Sequence, residues 1–442
     1  MADIRPFRGL RYNAAMFGRD LTAVVCPPFD VISPADQSAL YARHPSNIVR
    51  LELTRPEPGD HVPVTRYERA ATEFEAWQRE GILIQDPSPA LYGYSVEFSL
   101  DGSRHERRGI VASMRLEPWE RRVVLPHERT LAAAKQDRMA LMRACMANFS
   151  PIWGLYHDVG GATERFWSST TGQVPDEEAT DDDGMLHRLW LVRDPAITAA
   201  VHAALSAGPV YIADGHHRYT TALALRDELQ SDATSADPHA AANFVLTYLV
   251  EAADPGLIVL GTHRLLTSPV GVDSATIRRT IEGAFEVEDV QADPAALIGR
   301  VQEVQGRPAF ALWAPSLGMS LVARAHDPEG VPASLADGHS ASWRRLDLAV
   351  LHTLVIDQLF DVGTTALSES GRLTYPRNLE DVEGAIHSGA ADVAFLVRQT
   401  PISQITSVAD AGDLMPEKST FFYPKPLTGM VVASLRGSVP EP

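Results

Sequence analysis

The chain has 442 residues, 45% of them hydrophobic and 22% charged, with 30 Gly and 31 Pro, which is globular usage with length for two or three domains and excludes disorder, collagen and coiled coil as descriptions of the whole. Asp plus Glu number 57 against 39 Lys plus Arg, for a formal charge of −18, so the average surface repels a phosphate backbone and a nucleic-acid partner is not expected. A small anion is compatible with such a chain only where a local device overrides the global field.

The two cysteines, Cys26 and Cys145, are too few for a disulfide framework and fit a reducing compartment. The opening residues, Met1 to Arg8, contain no apolar core followed by a small-residue cleavage site, and no later stretch approaches the roughly eighteen uncharged apolar residues of a membrane span. The expectation is a cytoplasmic, soluble protein with no membrane partner.

In chain order, the first fifty residues read as loop-rich around Cys26-Pro27-Pro28-Phe29-Asp30-Val31-Ile32, where tandem prolines exclude a helix interior and place Asp30 on an extended segment. Tyr67, Ala70, Ala71, Phe74 and Trp77 recur at helical spacing between Thr65 and Glu80, with Gly81 as the stop. Strict alternation from Tyr92 to Leu100 and again from Ile110 to Leu116, about an Asp101-Gly102 turn, predicts a β-hairpin. Its return strand begins with Arg104, His105, Arg107 and Arg108, which read as a solvated strand end.

A helix is predicted from about Asp137 to Ala147 and a strand over Ile152 to Tyr156. Residues 158 to 184, rich in Gly, Thr and Asp, read as an exposed loop or insertion. Then come a helix from about Pro195 to Leu205, a short strand Val210 to Ala213, the turn Asp214-Gly215-His216-His217 and a helix from Arg218 to Leu229. Strands over Phe244 to Val250 and Leu257 to Leu260 lead to Gly261-Thr262-His263-Arg264. From Gly271 onward helical and strand patterns mix. The fold class expected is α+β with mixed β-sheets and flanking helices, in three regions: 1–118, 119–270 and 271–442.

The Asp214-Gly215-His216-His217-Arg218 turn carries the most chemical information. A strand that turns through glycine straight into a helix aims the first backbone N–H groups and the positive end of the helix dipole at one point. Gly215 permits close approach of a ligand, and His216, His217 and Arg218 add donors. Asp214 is either a helix cap or a metal ligand. An Asp with two His can also hold zinc or iron, although adjacent histidines point different ways and no His-x-x-x-His pair is present. Glu128, after Val123-Val124-Leu125-Pro126-His127, could take a proton from a substrate hydroxyl if burial brings its pKa near neutral and geometry puts it within hydrogen-bond reach. His263 and Lys418 likewise lie at element ends, where α/β and α+β proteins build sites.

Six separated motifs carry a resemblance: Pro27 to Ile32, Leu125 to Thr130, Ala147 to Ile152, Asp214 to Tyr219, Thr262 to Arg264, and Met415 to Lys425. On them the chain is identified as a member of the prokaryotic family known as domain of unknown function 1015. Phe29, Gly261 and Glu417 depart from its pattern, and Glu417 sets a negative charge beside Lys418. The Asp-Gly-His-His-Arg run is similar to the phosphate-binding turn of the ParB/sulfiredoxin-like superfamily, which implies a central core of that fold with N- and C-terminal additions.

That resemblance implies that Asp214 to Arg218 hold nucleotide phosphates and that Glu128 is the base, as in free serine kinases. His216 stands where sulfiredoxins carry a reactive cysteine, and no basic DNA-binding block is present. The function expected is therefore phosphoryl transfer from ATP or ADP, with Mg²⁺, to the hydroxyl of a small metabolite such as serine. The catalytic candidates are Glu128 and Asp214; the nucleotide ligands are Gly215, His216, His217, Arg218, His263 and Lys418; Asp214 is the candidate metal ligand. The competing expectations are a nucleotide-sensing protein without turnover and a metal-dependent hydrolase built on His127, Asp214, His216 and His217.

Overall fold

The computed structural model describes residues 1–58, 60, 64–129, 132–232, 237–267, 273–360 and 363–441. Thr130 of the second motif and the predicted boundary at Gly271 lie outside them. The fold is α+β, with mixed and antiparallel sheets and flanking helices. The chain forms two compact units, Met1–Pro126 with Thr130–Ile258 and Pro424–Pro442, and His127–Arg129 with Val259–Tyr423. Among the described residues no helix is long and apolar enough to cross a membrane.

The first unit is built on a nine-stranded mixed sheet. Its strands are β1 (Ile4–Arg5), β2 (Leu91–Leu100), β3 (Ser103–Arg115), β4 (Val124–Leu125), β5 (Ile152–Tyr156), β6 (Glu177–Thr180), β7 (Leu186–Val192), β8 (Val210–Asp214) and β9 (Phe244–Glu251). Their order is β4-β8-β5-β9-β3-β2-β7-β6, with β1 beside the end of β3. The β2–β3 hairpin turns at Asp101 and Gly102, both with positive φ, as a two-residue turn matched to strand twist requires. Among the described residues of this sheet, only β8 with β4 and β9 with β5 run parallel as strands.

Helices cover this sheet. The predicted Thr65 to Glu80 helix is α1 (Val64–Arg79), and Gly81 adopts φ +73° just beyond it. Next come α2 (Ala132–Cys145), α3 (Ala162–Thr170), α4 (Pro195–Leu205) and α5 (His216–Asp232). Asp194 caps α4 through the N–H groups of Ala196 and Ile197. Ile110, Ala112, Met114, Ile152, Val210, Ile212, Val245 and Leu249 of the sheet meet Phe166, Val201, Leu205, Tyr219 and Leu225 of the helices in one core.

Three sequence expectations are corrected here. Residues 158 to 184 are not a plain loop: they hold α3, whose Phe166 and Trp167 are buried, and the edge strand β6. Asp30 lies in a single 3₁₀ turn, Phe29–Val31, rather than on an extended segment. Arg107 is completely buried rather than solvated, because both faces of β3 are covered. Its Nε donates to the Tyr248 hydroxyl at 3.2 Å, its Nη1 donates to the Pro424 carbonyl at 2.6 Å, and its guanidinium lies 4.0 Å from the Trp153 ring.

The second unit holds a six-stranded antiparallel sheet of β10 (Arg264–Leu266), β11 (Phe285–Asp289), β12 (Ala309–Ala314), β13 (Met319–Ala325), β14 (Leu373–Thr374) and β15 (Val393–Leu396). The order is β11-β13-β12-β15-β10-β14. Ala311, Trp313, Val322, Ala394 and Leu396 pack against Leu297 and Val301 of the helix Pro294–Glu303 and against Val382 and Ile386 of the helix Leu379–His387. A π-helical turn, His352–Ile356, interrupts the helical segment that begins at Asp347.

Candidate functional site

The sequence-predicted turn lies in the first unit, at the end of β8 and the start of α5. β8 carries a bulge between Ile212 and Asp214, and a bulge re-aims the residue that follows it. The Asp214 carboxylate is clasped by two cations: its Oδ1 lies 2.6 Å from Lys425 Nζ and its Oδ2 lies 2.9 Å from Arg218 Nη2. Arg218 Nη1 also donates to the Pro151 carbonyl at 2.5 Å. Burial pushes the Asp214 carboxyl up, but Lys425 and then Arg218 outweigh it and hold the group well below the usual carboxylate range.

The clasp sets two cations about one carboxylate at the start of a 17-residue helix, where the helix dipole adds positive potential. That balance suits an anion. It does not suit a second cation at Asp214, since both carboxylate oxygens already face cations. The clasp thus favours Asp214 as the partner of these two cations over Asp214 as a metal ligand. Among the described residues no group of three or more His, Cys, Asp or Glu is arranged to hold a metal ion, so a hydrolase on His127, Asp214, His216 and His217 finds no support.

Gly215 has a different reason from the one its position suggests. Its φ is +88°, and a Cβ there would sit 3.0 Å from Ile152 Cγ2 and 3.1 Å from Nε and Nη2 of Arg218. The glycine thus makes room for the protein's own arginine. Gly215→Ala is expected to cost about 1–3 kcal/mol through both the backbone conformation and the displaced guanidinium; a urea midpoint equal to that of the parent chain would contradict this. His216 is buried and His217 is partly exposed.

Three other motifs meet beside this turn within the same unit. Glu52 is buried, accepts from the Ser150 hydroxyl at 3.0 Å and lies 3.5 Å from Arg138 Nη1. Arg138 lies over the Phe29 ring at 4.1 Å. Burial raises the Glu52 carboxyl, opposed by Arg138 and then Arg218. Glu52 and Lys425 are the residues sequence reading passed over as site members. Lys425 closes the last motif, but nothing local in its segment marks Asp214 as its partner.

The remaining predicted residues gather in the second unit. His127 is buried; its Nε2 lies 2.9 Å from the Thr420 hydroxyl, which also donates to Glu128 Oε1 at 3.3 Å. The Met415 N–H donates to the His127 carbonyl at 2.7 Å. Arg264 is fully buried and serves as the hub: Nη1 donates to the Thr262 carbonyl at 2.6 Å, Nη2 to the carbonyls of Glu417 and Lys418 at 3.2 and 3.3 Å, and Nε to His352 Nε2 at 3.0 Å. Burial lowers its pKa to about 10.

Lys418 enters this network through its carbonyl, which also accepts from the Thr262 hydroxyl, while its backbone adopts φ +56° and its side chain is exposed. His263 is enclosed, and its Nδ1 accepts from the Val397 N–H at 3.3 Å. Burial, with the Arg264 charge, lowers its pKa to about 4. A ring so enclosed packs the sheet end, and its expected role as a nucleotide ligand is not supported by this placement.

The chain belongs to the family described as protein of unknown function, DUF1015, whose model matches residues 4–349. A search among curated proteins gives no match. Among solved structures, the chain is similar to a conserved hypothetical protein from Pyrococcus furiosus at 14% identity, covering 71% of this chain and 92% of that one with a TM-score of 0.34. It is similar to a free serine kinase in complex with AMP at 12% identity, covering 70% and 89% with a TM-score of 0.34. A third likeness is to SbnI with a C-terminal truncation from Staphylococcus aureus, at 12% identity, 72% and 87% coverage and a TM-score of 0.36.

Proposed function

We propose that the protein is a nucleotide-dependent phosphotransferase that moves a phosphoryl group from ATP or ADP to the hydroxyl of a small metabolite such as serine. The observation that carries the reading is the pair of cations at the start of α5, where Arg218 and Lys425 flank Asp214 at 2.9 and 2.6 Å. Phosphoryl transfer asks chiefly for positioned positive charge about the phosphate oxygens. The turn from Asp214 to Arg218 holds those oxygens, with Asp214 fixing the two cations rather than binding metal. Mg²⁺ bound with the nucleotide would offset charge on the phosphate oxygens.

In the reaction the acceptor oxygen bonds to the terminal phosphorus, the bridging P–O bond breaks, and the nucleotide departs one phosphoryl group shorter. The acceptor proton passes to a base or to water. His263 has no part in this reading.

The test uses the full chain with ATP or ADP, Mg²⁺ and a pool of hydroxylated metabolites, followed by ³¹P spectra. A new phosphoester signal that grows as nucleotide is consumed is expected. Nucleotide binding without consumption would replace the kinase by a sensor. Arg218→Ala is expected to weaken nucleotide binding, since a charge-assisted contact is lost; parental affinity in a folded variant removes the turn from the phosphate-binding role.

A further inference from the structure

A cavity of about 290 Å³ lies wholly within the second unit, at the small end of the roughly 300–1,000 Å³ of ligand pockets. Its wall includes His352, at the first position of the π-helical turn and only 7% exposed. The tautomer of this ring is fixed by its neighbour. Arg264 Nε donates to His352 Nε2 at 3.0 Å, and a guanidinium has no acceptor, so Nε2 is unprotonated and the ring proton sits on Nδ1. Burial and the Arg264 charge hold the ring neutral, with a pKa well below the usual 6.5. The Nδ1–H has no acceptor among the described residues, and its ring lines the cavity: it is a fixed, nine-tenths buried donor in search of an oxygen.

The same wall carries Asp357 and Glu417. Asp357 Oδ1 accepts from the Thr364 N–H at 3.1 Å and hydroxyl at 3.4 Å, yet neither carboxylate has a cation within ion-pair distance among the described residues. Arg129 and Asp337, both exposed, also line it and together add no net charge. Tyr375, whose ring is backed by Arg264 at 4.7 Å, and Trp343 with Leu414 supply an aromatic and apolar wall. Leu335, 53% exposed and one of few large apolar side chains left open to solvent, stands at the lining too. Two unpaired carboxylates, aromatic faces and one buried N–H donor recognise a cation that also bears an oxygen.

We infer that this cavity binds a small ammonium compound carrying a hydroxyl or carbonyl oxygen, with the ammonium against Asp357 and Glu417 and the oxygen taking the His352 Nδ1–H. The inference uses neither the turn at Asp214 nor Glu128 and stands or falls apart from the phosphotransferase reading.

Titration calorimetry on the full chain with tyramine and glucosamine, and with their N-acetyl derivatives as uncharged controls, tests it. Saturable binding of at least one amine is expected, with its N-acetyl form weaker by about tenfold or more. Asp357→Asn keeps an amide oxygen for Thr364 and removes the charge, so it is expected to weaken the amine by about tenfold at an unchanged unfolding midpoint; Glu417→Gln, in a loop, carries the same test if Asp357→Asn lowers that midpoint. Absence of binding by both amines, equal affinity of an N-acetyl form, or parental affinity in a folded carboxylate variant overturns the inference.

Discussion

Asp214→Ala is expected to lower the stability of the first unit by about 3–5 kcal/mol, the cost of leaving buried charge without its partner. The carboxylate faces Lys425 at 2.6 Å and Arg218 at 2.9 Å, whose side chains are only 10% and 9% exposed. Removing it leaves two cations side by side in a largely dry place, and each then loses a charge-assisted bond while repelling the other. Asp214→Ala combined with Lys425→Met should recover much of the loss, since Arg218 then keeps its bond to the Pro151 carbonyl and no longer faces the Lys425 ammonium.

The pH dependence follows the same geometry. The folded carboxyl is held below its usual 3.8, so the unfolded chain takes up the proton first as pH falls. The trio's contribution is complete at neutral pH and declines only below 3.8. Hydrogen exchange over His216–Asp232 at pH 7, compared across parent, single and double variants, reads the loss in this unit. A single variant within 1 kcal/mol of the parent would mean that water, not the fold, solvates these charges.

How much of this was legible in the sequence depends on the range of the interaction. The β2–β3 hairpin and the strand, turn and helix at Asp214 are local patterns, in which period-two alternation or a glycine at positive φ is written within a dozen residues, and the α+β class follows from them. The partners of Asp214 are split: Arg218 is one helical turn away and visible as an i, i+4 pair, whereas Lys425 comes from the far end of the chain. Arg107 shows a second limit. Alternation identified Ile110, Ala112 and Met114 as one buried face, but it cannot tell whether the opposite face is covered; the apolar Val111 on the side of Arg107 was the available signal.

The segment from 158 to 184 misled through composition. Its Gly and Asp residues flank Ala162, Phe166 and Thr170, an i, i+4, i+8 stripe that forms the buried side of α3. Of the candidate site residues, Glu128 and Lys418 fall with His263 in one unit and Asp214 to Arg218 in the other, a division that six motifs read in order along a chain do not disclose.

Arg264→Leu is the second large effect, and two opposed terms decide its size. The guanidinium is fully buried with no carboxylate at hydrogen-bond distance, and its pKa of about 10 against the usual 12.5 marks a desolvation cost of about 3 kcal/mol, which leucine would relieve. Against that, leucine leaves the carbonyls of Thr262, Glu417 and Lys418 and His352 Nε2 without these donors, at about 1–3 kcal/mol for each buried acceptor. Four acceptors outweigh one charge, and a net loss of at least about 1 kcal/mol is expected, with the Pro416–Ser419 loop opening first.

The variant should also blunt acid unfolding. Burial and then Arg264 keep His263 near 4 and His352 well below 6.5. The unfolded chain therefore binds protons first as pH falls below 6.5, and stability present at pH 7 is lost on the way to pH 4, about 3 kcal/mol for His263 by itself. Without the arginine's charge both rings take protons at higher pH in the fold, and the slope between pH 6.5 and 4 becomes shallower. Urea unfolding of parent and Arg264→Leu chains at pH 7.5, 5.5 and 4.5 separates the two effects. A variant that is weaker at pH 7.5 yet as steeply acid-labile as the parent would assign the histidines' neutrality to burial and leave Arg264 only the task of holding the loop carbonyls together.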